Sequence, residues 1–138
     1  MMTAASSANG PPLQGVRVLV ADDAPAVRQA VTDILESVGA AVTAVGSAEA
    51  ALAALQAELP DVLVSDLSMP EKGGYWLIGQ VRALPPERGG ATPAAALTGA
   101  TGPEHRESIL RAGFQYHVPK PAGILELIDV VTTLARNG

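Results

Sequence analysis

The feature that most constrains this chain is a regular alternation of short apolar strand patterns with longer amphipathic helix patterns. Four of the strand patterns are rich in Val, Leu and Ala and cover residues 16–20, 41–45, 62–65 and 94–97, and the fifth covers residues 115–118. Each is followed by a segment whose apolar side chains recur every three or four residues, as on one face of a helix. Such alternation with short connections predicts parallel strands joined by right-handed crossover helices, and therefore an open, doubly wound α/β sheet.

Residues that start or end helices lie at the borders of these segments. Pro25 suits a first helical turn, Gly39 suits a helix end, and Ser47 suits a helix cap. The fourth helix pattern begins with a capping box, Thr101-x-x-Glu104. These signals support five helices, one after each strand.

The chain of 138 residues is long enough for one compact domain. Residues 1–14 carry almost no bulky apolar side chains and are interpreted as a flexible leader, so the domain is placed at residues 15–138. The absence of cysteine excludes disulfides, and the net charge of −5 argues against direct binding to nucleic acid or an anionic membrane. Because there is no signal peptide and no apolar run of roughly 18 residues, we expect a soluble, cytoplasmic protein.

Polar side chains follow four of the predicted strands, at the point where each strand ends. They are Asp22 and Asp23 after the first strand, Asp66 after the third, Thr98 after the fourth and Lys120 after the fifth. Ligands bind at the carboxyl ends of the strands in a doubly wound sheet, so these side chains are expected to converge. Taken singly, each has a simpler explanation as a helix cap, a turn residue or a solvated lysine. Together they suit one kind of chemistry.

That chemistry is phosphoryl transfer. Three carboxylates in close proximity raise one another's pKa and become tolerable around a hard divalent cation such as Mg²⁺. A carboxylate can act as a nucleophile and form an aspartyl phosphate. A threonine hydroxyl and a lysine ammonium can then hold the phosphoryl oxygens.

Four ordered motifs make the chain resemble the receiver domains of two-component response regulators and phosphorelays. The motifs are Asp22-Asp23, Ser65-Asp66-Leu67-Ser68-Met69-Pro70, Leu97-Thr98-Gly99 and Pro119-Lys120-Pro121. The resemblance covers residues 15–136. Within the family, the chain is similar to receivers of hybrid histidine kinases and to single-domain response regulators. It implies a flavodoxin-like receiver fold, with an open five-stranded parallel sheet of order 2-1-3-4-5 and five helices.

The resemblance also implies a metal site and a phosphoacceptor. Asp66 would accept the phosphoryl group, and Mg²⁺ would be the cofactor. Asp23 would ligate the metal directly and Asp22 mainly through water, while Asp66 and the backbone carbonyl of Ser68 would complete the set. Gly73 stands where many receivers carry an acidic or amide residue, and we expect it to loosen the loop beside the site.

Further positions are assigned by the same resemblance. Thr98 would hydrogen-bond the phosphoryl group, and Lys120 would pair with it. The Lys120–Pro121 peptide bond is expected to be cis. His117 stands at a switch position that is often Tyr or Phe, and either a signalling role or a partly buried structural histidine is compatible with the sequence. Tyr116 should point to the opposite face of the strand.

By resemblance, the chain takes a phosphoryl group from a histidine kinase or a histidine phosphotransfer protein. Its surface of helix 4, strand 5 and helix 5 would then change and address a downstream protein target, with the chain a monomer or a weak dimer. We expect self-phosphoryl transfer and autodephosphorylation only, and no enzymatic action on an external substrate. Because the chain ends after the fifth helix pattern, it is expected to be a stand-alone regulator or a receiver cut from a hybrid kinase.

Two other functions stay open at this point. One is an interaction module that is never phosphorylated, and the complete acidic set with Thr98 and Lys120 weighs against it. The other is a flavin- or nucleotide-binding enzyme on the same sheet. That enzyme would need a Gly- or Ser/Thr-rich phosphate-binding loop after the first strand, where the sequence has Ala21-Asp22-Asp23-Ala24-Pro25.

Overall fold

The computed structural model describes residues 10–99 and 103–137. Most of the predicted leader and Thr101 of the predicted capping box lie outside these residues. The strands are β1 (Arg17–Ala21), β2 (Ala41–Val45), β3 (Val62–Asp66), β4 (Ala94–Thr98) and β5 (Tyr116–Pro119). The α-helices are α1 (Pro25–Glu36), α2 (Ala48–Glu58), α3 (Gly74–Arg82), α4 (Pro103–Ala112) and α5 (Ile124–Asn137). A short 3₁₀ helix, Pro86–Arg88, precedes β4.

The five strands form one parallel sheet in the order β2-β1-β3-β4-β5, so the predicted fold and strand order are confirmed. The chain runs outward from β1 to β2 and then crosses back to β3. The winding direction therefore reverses between β1 and β3, and a crevice opens at their carboxyl ends. Every residue of the central strand β3 is buried, as expected for a strand covered on both faces.

Two apolar layers enclose the sheet. Helices α1 and α5 cover one face, in a layer that includes Val18, Leu35, Val64, Leu127 and Val131. Helices α2, α3 and α4 cover the other, in a layer that includes Leu19, Leu55, Leu63, Ile78 and Ile109. Among the described residues, no helix is both long enough and apolar enough to cross a membrane.

The segment before β1 packs against the end of α1. Leu13 lies within the predicted leader, yet it is fully buried in the α1/α5 layer, and its N–H donates to the Val38 carbonyl at 2.9 Å. Gly39, predicted to end α1, adopts a φ of +102°, and a Cβ there would come within 2.8 Å of the Gln14 backbone. The packed region therefore includes Leu13, and glycine at position 39 lets the two segments approach closely.

Candidate functional site

The acidic residues that follow β1 and end β3 meet at the crevice. Carboxylate oxygens of Asp22, Asp23 and Asp66 lie within 4.8 Å of one another. Asp22 and Asp66 are buried, whereas Asp23 is exposed. The cluster therefore has two carboxylates inside the protein and one at its mouth, where a ligand from solvent can reach it.

Lys120, which follows β5, joins the cluster from the opposite side. Its ammonium lies 3.1 Å from Asp22 Oδ2 and 3.1 Å from Asp66 Oδ1. Its backbone N–H donates to the carbonyl of Thr98 at 2.9 Å, so the end of β4 holds the lysine in place. The Lys120–Pro121 peptide bond is cis, as expected.

Asp22 is held firmly, but one of its oxygens is poorly satisfied. Its N–H donates to the Val45 carbonyl at 3.1 Å, and its Oδ1 accepts from the Ala24 N–H at 2.9 Å. Its Oδ2 is buried and accepts no well-directed hydrogen bond from the described residues. Only the electrostatic contact with Lys120 faces that atom. An additional cation would therefore find an acceptor atom available here.

The pKa values of Asp66 and Lys120 are both raised, but for different physical reasons. Burial raises the pKa of Asp66 and the nearby Asp22 raises it further, while the Ser68 N–H and Lys120 only partly offset this. Burial alone would lower the pKa of Lys120, but its pairing with Asp22 and Asp66 outweighs burial, so the pKa is raised. Without a metal, the site thus favours a cationic Lys120 and resists full ionisation of Asp66.

The raised pKa of Asp66 predicts a pH-dependent stability difference between the wild type and Asp66→Asn. Below the ordinary value of 3.8, both states of the wild type carry a neutral residue 66. As the pH rises through the raised pKa, ionisation favours the unfolded wild type and the native protein loses stability. In EDTA at neutral pH, Asp66→Asn should therefore be more stable by about 1 kcal/mol. Urea unfolding along the pH series measures this, and an equal stability difference at all pH values would contradict it.

The residues present fit a hard divalent cation. All the candidate ligand atoms are oxygens, three carboxylates share the site, and the buried Asp22 Oδ2 has only its ion pair with Lys120. These are the donors that Mg²⁺ prefers. Asp22, Asp23 and Asp66 could therefore hold the ion.

Thr98 and Ser68 border the acidic cluster. Thr98 is buried at the end of β4 and directly follows Leu97, the residue paired with Asp66 across the β3–β4 pair. Ser68 is exposed, and its N–H donates to Asp66 Oδ1 at 3.2 Å. Both residues are therefore close in the chain or in the sheet to Asp66, which the sequence analysis assigned as the acceptor.

His117 lies apart from the acidic cluster. It is partly buried on β5, opposite Ala96 of β4. Together with Arg106 of α4 and Glu126 of α5 it lines a surface groove. Its neighbour Tyr116 is 41% exposed. His117 therefore belongs to the surface of α4, β5 and α5 and not to the group that surrounds Asp66.

The glycines at the start of α3 make the loop tighter than the sequence analysis expected. A Cβ on Gly73 would lie 2.5 Å from the Leu67 carbonyl oxygen, and one on Gly74 would lie 2.5 Å from that of Asp66. The Gly74 N–H donates to the Leu67 carbonyl at 3.0 Å. The expectation that Gly73 loosens this loop is therefore wrong. Because it has no side chain, Gly73 lets the start of α3 pack closely against the backbone that carries Asp66.

This close approach predicts opposite effects on stability for alanine at Gly73, just before α3, and at Gly79, within α3. Gly73→Ala should destabilise the protein by about 2 kcal/mol, because its methyl group meets a backbone oxygen. Gly79 is an exposed residue of α3 whose added Cβ would meet nothing within 4 Å. Gly79→Ala should stabilise the protein by about 0.5–1 kcal/mol through helix propensity. Urea unfolding of both variants checks this, and a stability loss of equal size in both would contradict the crowding.

One polar contact at the site was missed from the sequence. Arg28 of α1 is partly buried, and its Nη1 donates to the backbone carbonyl of Asp22 at 2.7 Å. The sequence signal was weak, since an arginine six residues after an aspartate usually lies on the solvated face of a helix.

Comparison with known proteins identifies a family. The family model described as the response regulator receiver domain matches residues 18–132. A 14.6 kDa protein from the sodA1 3′ region of Leptolyngbya boryana is 46% identical over 114 residues, covering 83% of this chain and 86% of that protein. The sensor protein GacS of Pseudomonas syringae pv. syringae is 36% identical over 125 residues, covering 88% of this chain but only 14% of GacS.

Solved structures of similar fold give the same result. The receiver domain of the Francisella response regulator 1452 superposes with a TM-score of 0.81 at 28% identity, covering 89% of this chain and 98% of that one. The chemotaxis response regulator CheY4 of Vibrio cholerae superposes with a TM-score of 0.80 at 28% identity, covering 86% and 98%.

Proposed function

The chain belongs to the response regulator receiver domain family of two-component signalling, and from that premise we propose that it accepts a phosphoryl group on Asp66 in a Mg²⁺-dependent reaction. The observation that carries the proposal is the cluster of three carboxylates with Lys120 set between two of them. Neither a nucleotide-binding loop nor a solvated charged surface would need a partly buried lysine bridging two buried aspartates.

Asp66 is well oriented for attack on phosphorus. The Ser68 N–H and the Lys120 ammonium both hold Oδ1, which fixes the plane of the carboxylate. A carboxylate oxygen would form a bond to phosphorus as the phosphorus–nitrogen bond of the donor phosphohistidine breaks. The freed imidazole then takes a proton from solvent. Asp66 must be ionised to attack, and Lys120 favours that form against the effect of burial.

The remaining residues would hold the added charge. Asp22, Asp23, Asp66 and the Ser68 carbonyl would bind Mg²⁺, which supplies neutralisation of the phosphoryl oxygens. Lys120 would exchange its contact with Asp66 for one with a phosphoryl oxygen. Thr98, buried at the end of β4, would donate its hydroxyl to another oxygen.

The proposed phosphodonor is a histidine kinase or a histidine phosphotransfer protein. An apolar groove of about 220 Å³ opens beside Lys120 between α1 and the β5–α5 loop, and its lining includes the small side chains of Ala26, Ala30 and Ala122. Such a surface accommodates an apolar patch of a partner protein close to Asp66. The similarity to the receiver part of GacS, a sensor protein, supports a donor of this kind.

The proposed output is a change in the surface of α4, β5 and α5, which a downstream protein target reads. Apolar side chains are exposed there, including Leu110 and Tyr116, beside the groove at His117. We propose a cytoplasmic monomer or weak dimer, whose only chemistry is self-phosphoryl transfer and autodephosphorylation.

Incubation with acetyl phosphate tests the proposal. In the presence of Mg²⁺, the intact mass should rise by that of one phosphoryl group, and EDTA should prevent the gain. A chain that gains no phosphoryl mass with either acetyl phosphate or a phosphorylated histidine phosphotransfer protein would refute the proposal. That result would favour an interaction module that is never phosphorylated.

A further inference from the structure

Arg28 contacts the backbone of an acidic residue and not its side chain. Its Nη1 donates to the Asp22 carbonyl at 2.7 Å, a charge-assisted hydrogen bond at the short end of the usual range. Its own backbone is held in α1, where the Arg28 N–H donates to the Ala24 carbonyl and Thr32 Oγ1 donates to the Arg28 carbonyl. The guanidinium therefore ties α1 to the β1–α1 loop.

The turn after β2 leaves room for this guanidinium. A Cβ on Gly46 would lie 2.9 Å from Arg28 Nη1, with no other side chain or backbone atom but the Arg28 Cζ within 4 Å. Gly46 does not adopt a positive φ. The backbone at this position therefore does not require glycine, and a side chain here would meet the Arg28 guanidinium, which would have to shift.

These contacts fix Asp22 from both sides. Its N–H donates to Val45 of β2, and its carbonyl accepts from Arg28 of α1. Its side chain is fully buried, with Oδ2 3.1 Å from the Lys120 ammonium and one carboxylate oxygen in the acidic cluster. The next peptide leads directly to Asp23. A change in the Asp22 carbonyl would therefore alter the placement of both carboxylates.

We propose that Arg28, seated against Gly46, is a positioning residue for the cation site, which orders Asp22 and Asp23 for Mg²⁺ by holding the Asp22 carbonyl. The inference rests on the proposed function only in assigning Mg²⁺ to Asp22, Asp23 and Asp66. It assigns to Arg28 no contact with the metal or with the phosphoryl group.

Positioning and simple electrostatics predict opposite changes in Mg²⁺ affinity when the Arg28 guanidinium is removed. A guanidinium near a cation site repels the cation, so removing its charge should tighten Mg²⁺ binding if charge alone mattered. If positioning dominates, removing the guanidinium should weaken binding. Loss of a group that orients a metal ligand typically weakens metal affinity about 10–100-fold.

Calorimetric titration of the full chain with MgCl₂ distinguishes these cases. We expect Arg28→Gln to weaken Mg²⁺ binding by about 10-fold, and Arg28→Lys to recover part of the loss. Gly46→Ala keeps the charge but displaces the guanidinium, and it should weaken binding in the same direction. Arg111→Gln, on the exposed face of α4, serves as the control and should bind Mg²⁺ like the wild type. Urea unfolding of each variant reports whether it is folded.

Unchanged or tighter Mg²⁺ binding in folded Arg28→Gln, or wild-type binding in folded Gly46→Ala, would overturn the inference. Should one variant fail to fold, the other still decides the outcome. Failure of the proposed Mg²⁺ site would look different, because the wild type itself would then bind no Mg²⁺ that depends on Asp23 and Asp66. The titration needs no phosphoryl donor, so it is independent of the phosphorylation test.

Discussion

Asp66→Asn is expected to abolish Mg²⁺-dependent phosphorylation completely while the protein remains folded. An amide is not a nucleophile toward phosphorus under conditions in which a carboxylate is. The asparagine oxygen can still accept the Ser68 N–H, and a neutral side chain avoids the cost of burying a charge, which is what raises the pKa of Asp66. Intact-mass measurement after incubation with acetyl phosphate and Mg²⁺ should show no phosphoryl group on the variant.

Asp129→Asn provides the matched control. Asp129 is an exposed residue of α5, and its replacement removes the same charge without touching the acidic cluster. It should be phosphorylated like the wild type. Phosphorylation of Asp66→Asn at the wild-type rate would show that another side chain accepts the group.

The second large effect is expected on stability, at Arg82. Its guanidinium donates to the backbone carbonyls of Gly90 and Thr92, at 2.9 and 2.8 Å, and twice to that of Gly113, at 3.0 and 2.8 Å. It thereby ties the end of α3 to the segment before β4 and to the α4–β5 turn. Burial lowers the pKa of Arg82, and no carboxylate in the described part of the chain forms an ion pair with it.

Arg82→Met should therefore lower the free energy of unfolding by about 3 kcal/mol, because partly buried carbonyls lose their donors. Arg111→Met removes a charge whose side chain is 76% exposed, and it should change stability by less than about 0.5 kcal/mol. Urea unfolding of both variants measures the difference. A similar small effect at both positions would contradict a structural role for the Arg82 contacts.

The sequence was sufficient to predict the sheet and the convergence of the strand ends. The carboxyl ends of parallel strands meet wherever the strands are adjacent, so Asp22 and Asp66 had to lie close together once the family resemblance placed β1 beside β3. The helices could also be predicted, because the spacing of apolar residues every three or four positions is a property of the local sequence.

Contacts set by tertiary packing could not be predicted in the same way. The tight approach of Gly73 to Leu67 depends on how closely α3 packs against β3, and the contact of Arg28 with Asp22 depends on a rotamer and on a gap beside Gly46. Leu13 was missed because a single leucine in a polar segment carries no periodic signal. Its burial became clear only with the end of α1 in place.

Chemical trapping of the phosphorylated wild type tests the central assignment most directly. Borohydride reduces an aspartyl phosphate to homoserine and releases inorganic phosphate, so the acceptor is marked in the peptide chain. After treatment with acetyl phosphate and Mg²⁺, peptide mass spectrometry should find homoserine at position 66 and nowhere else. Homoserine at position 22 or 23, or a phosphorylated protein with aspartate intact at position 66, would contradict the assignment.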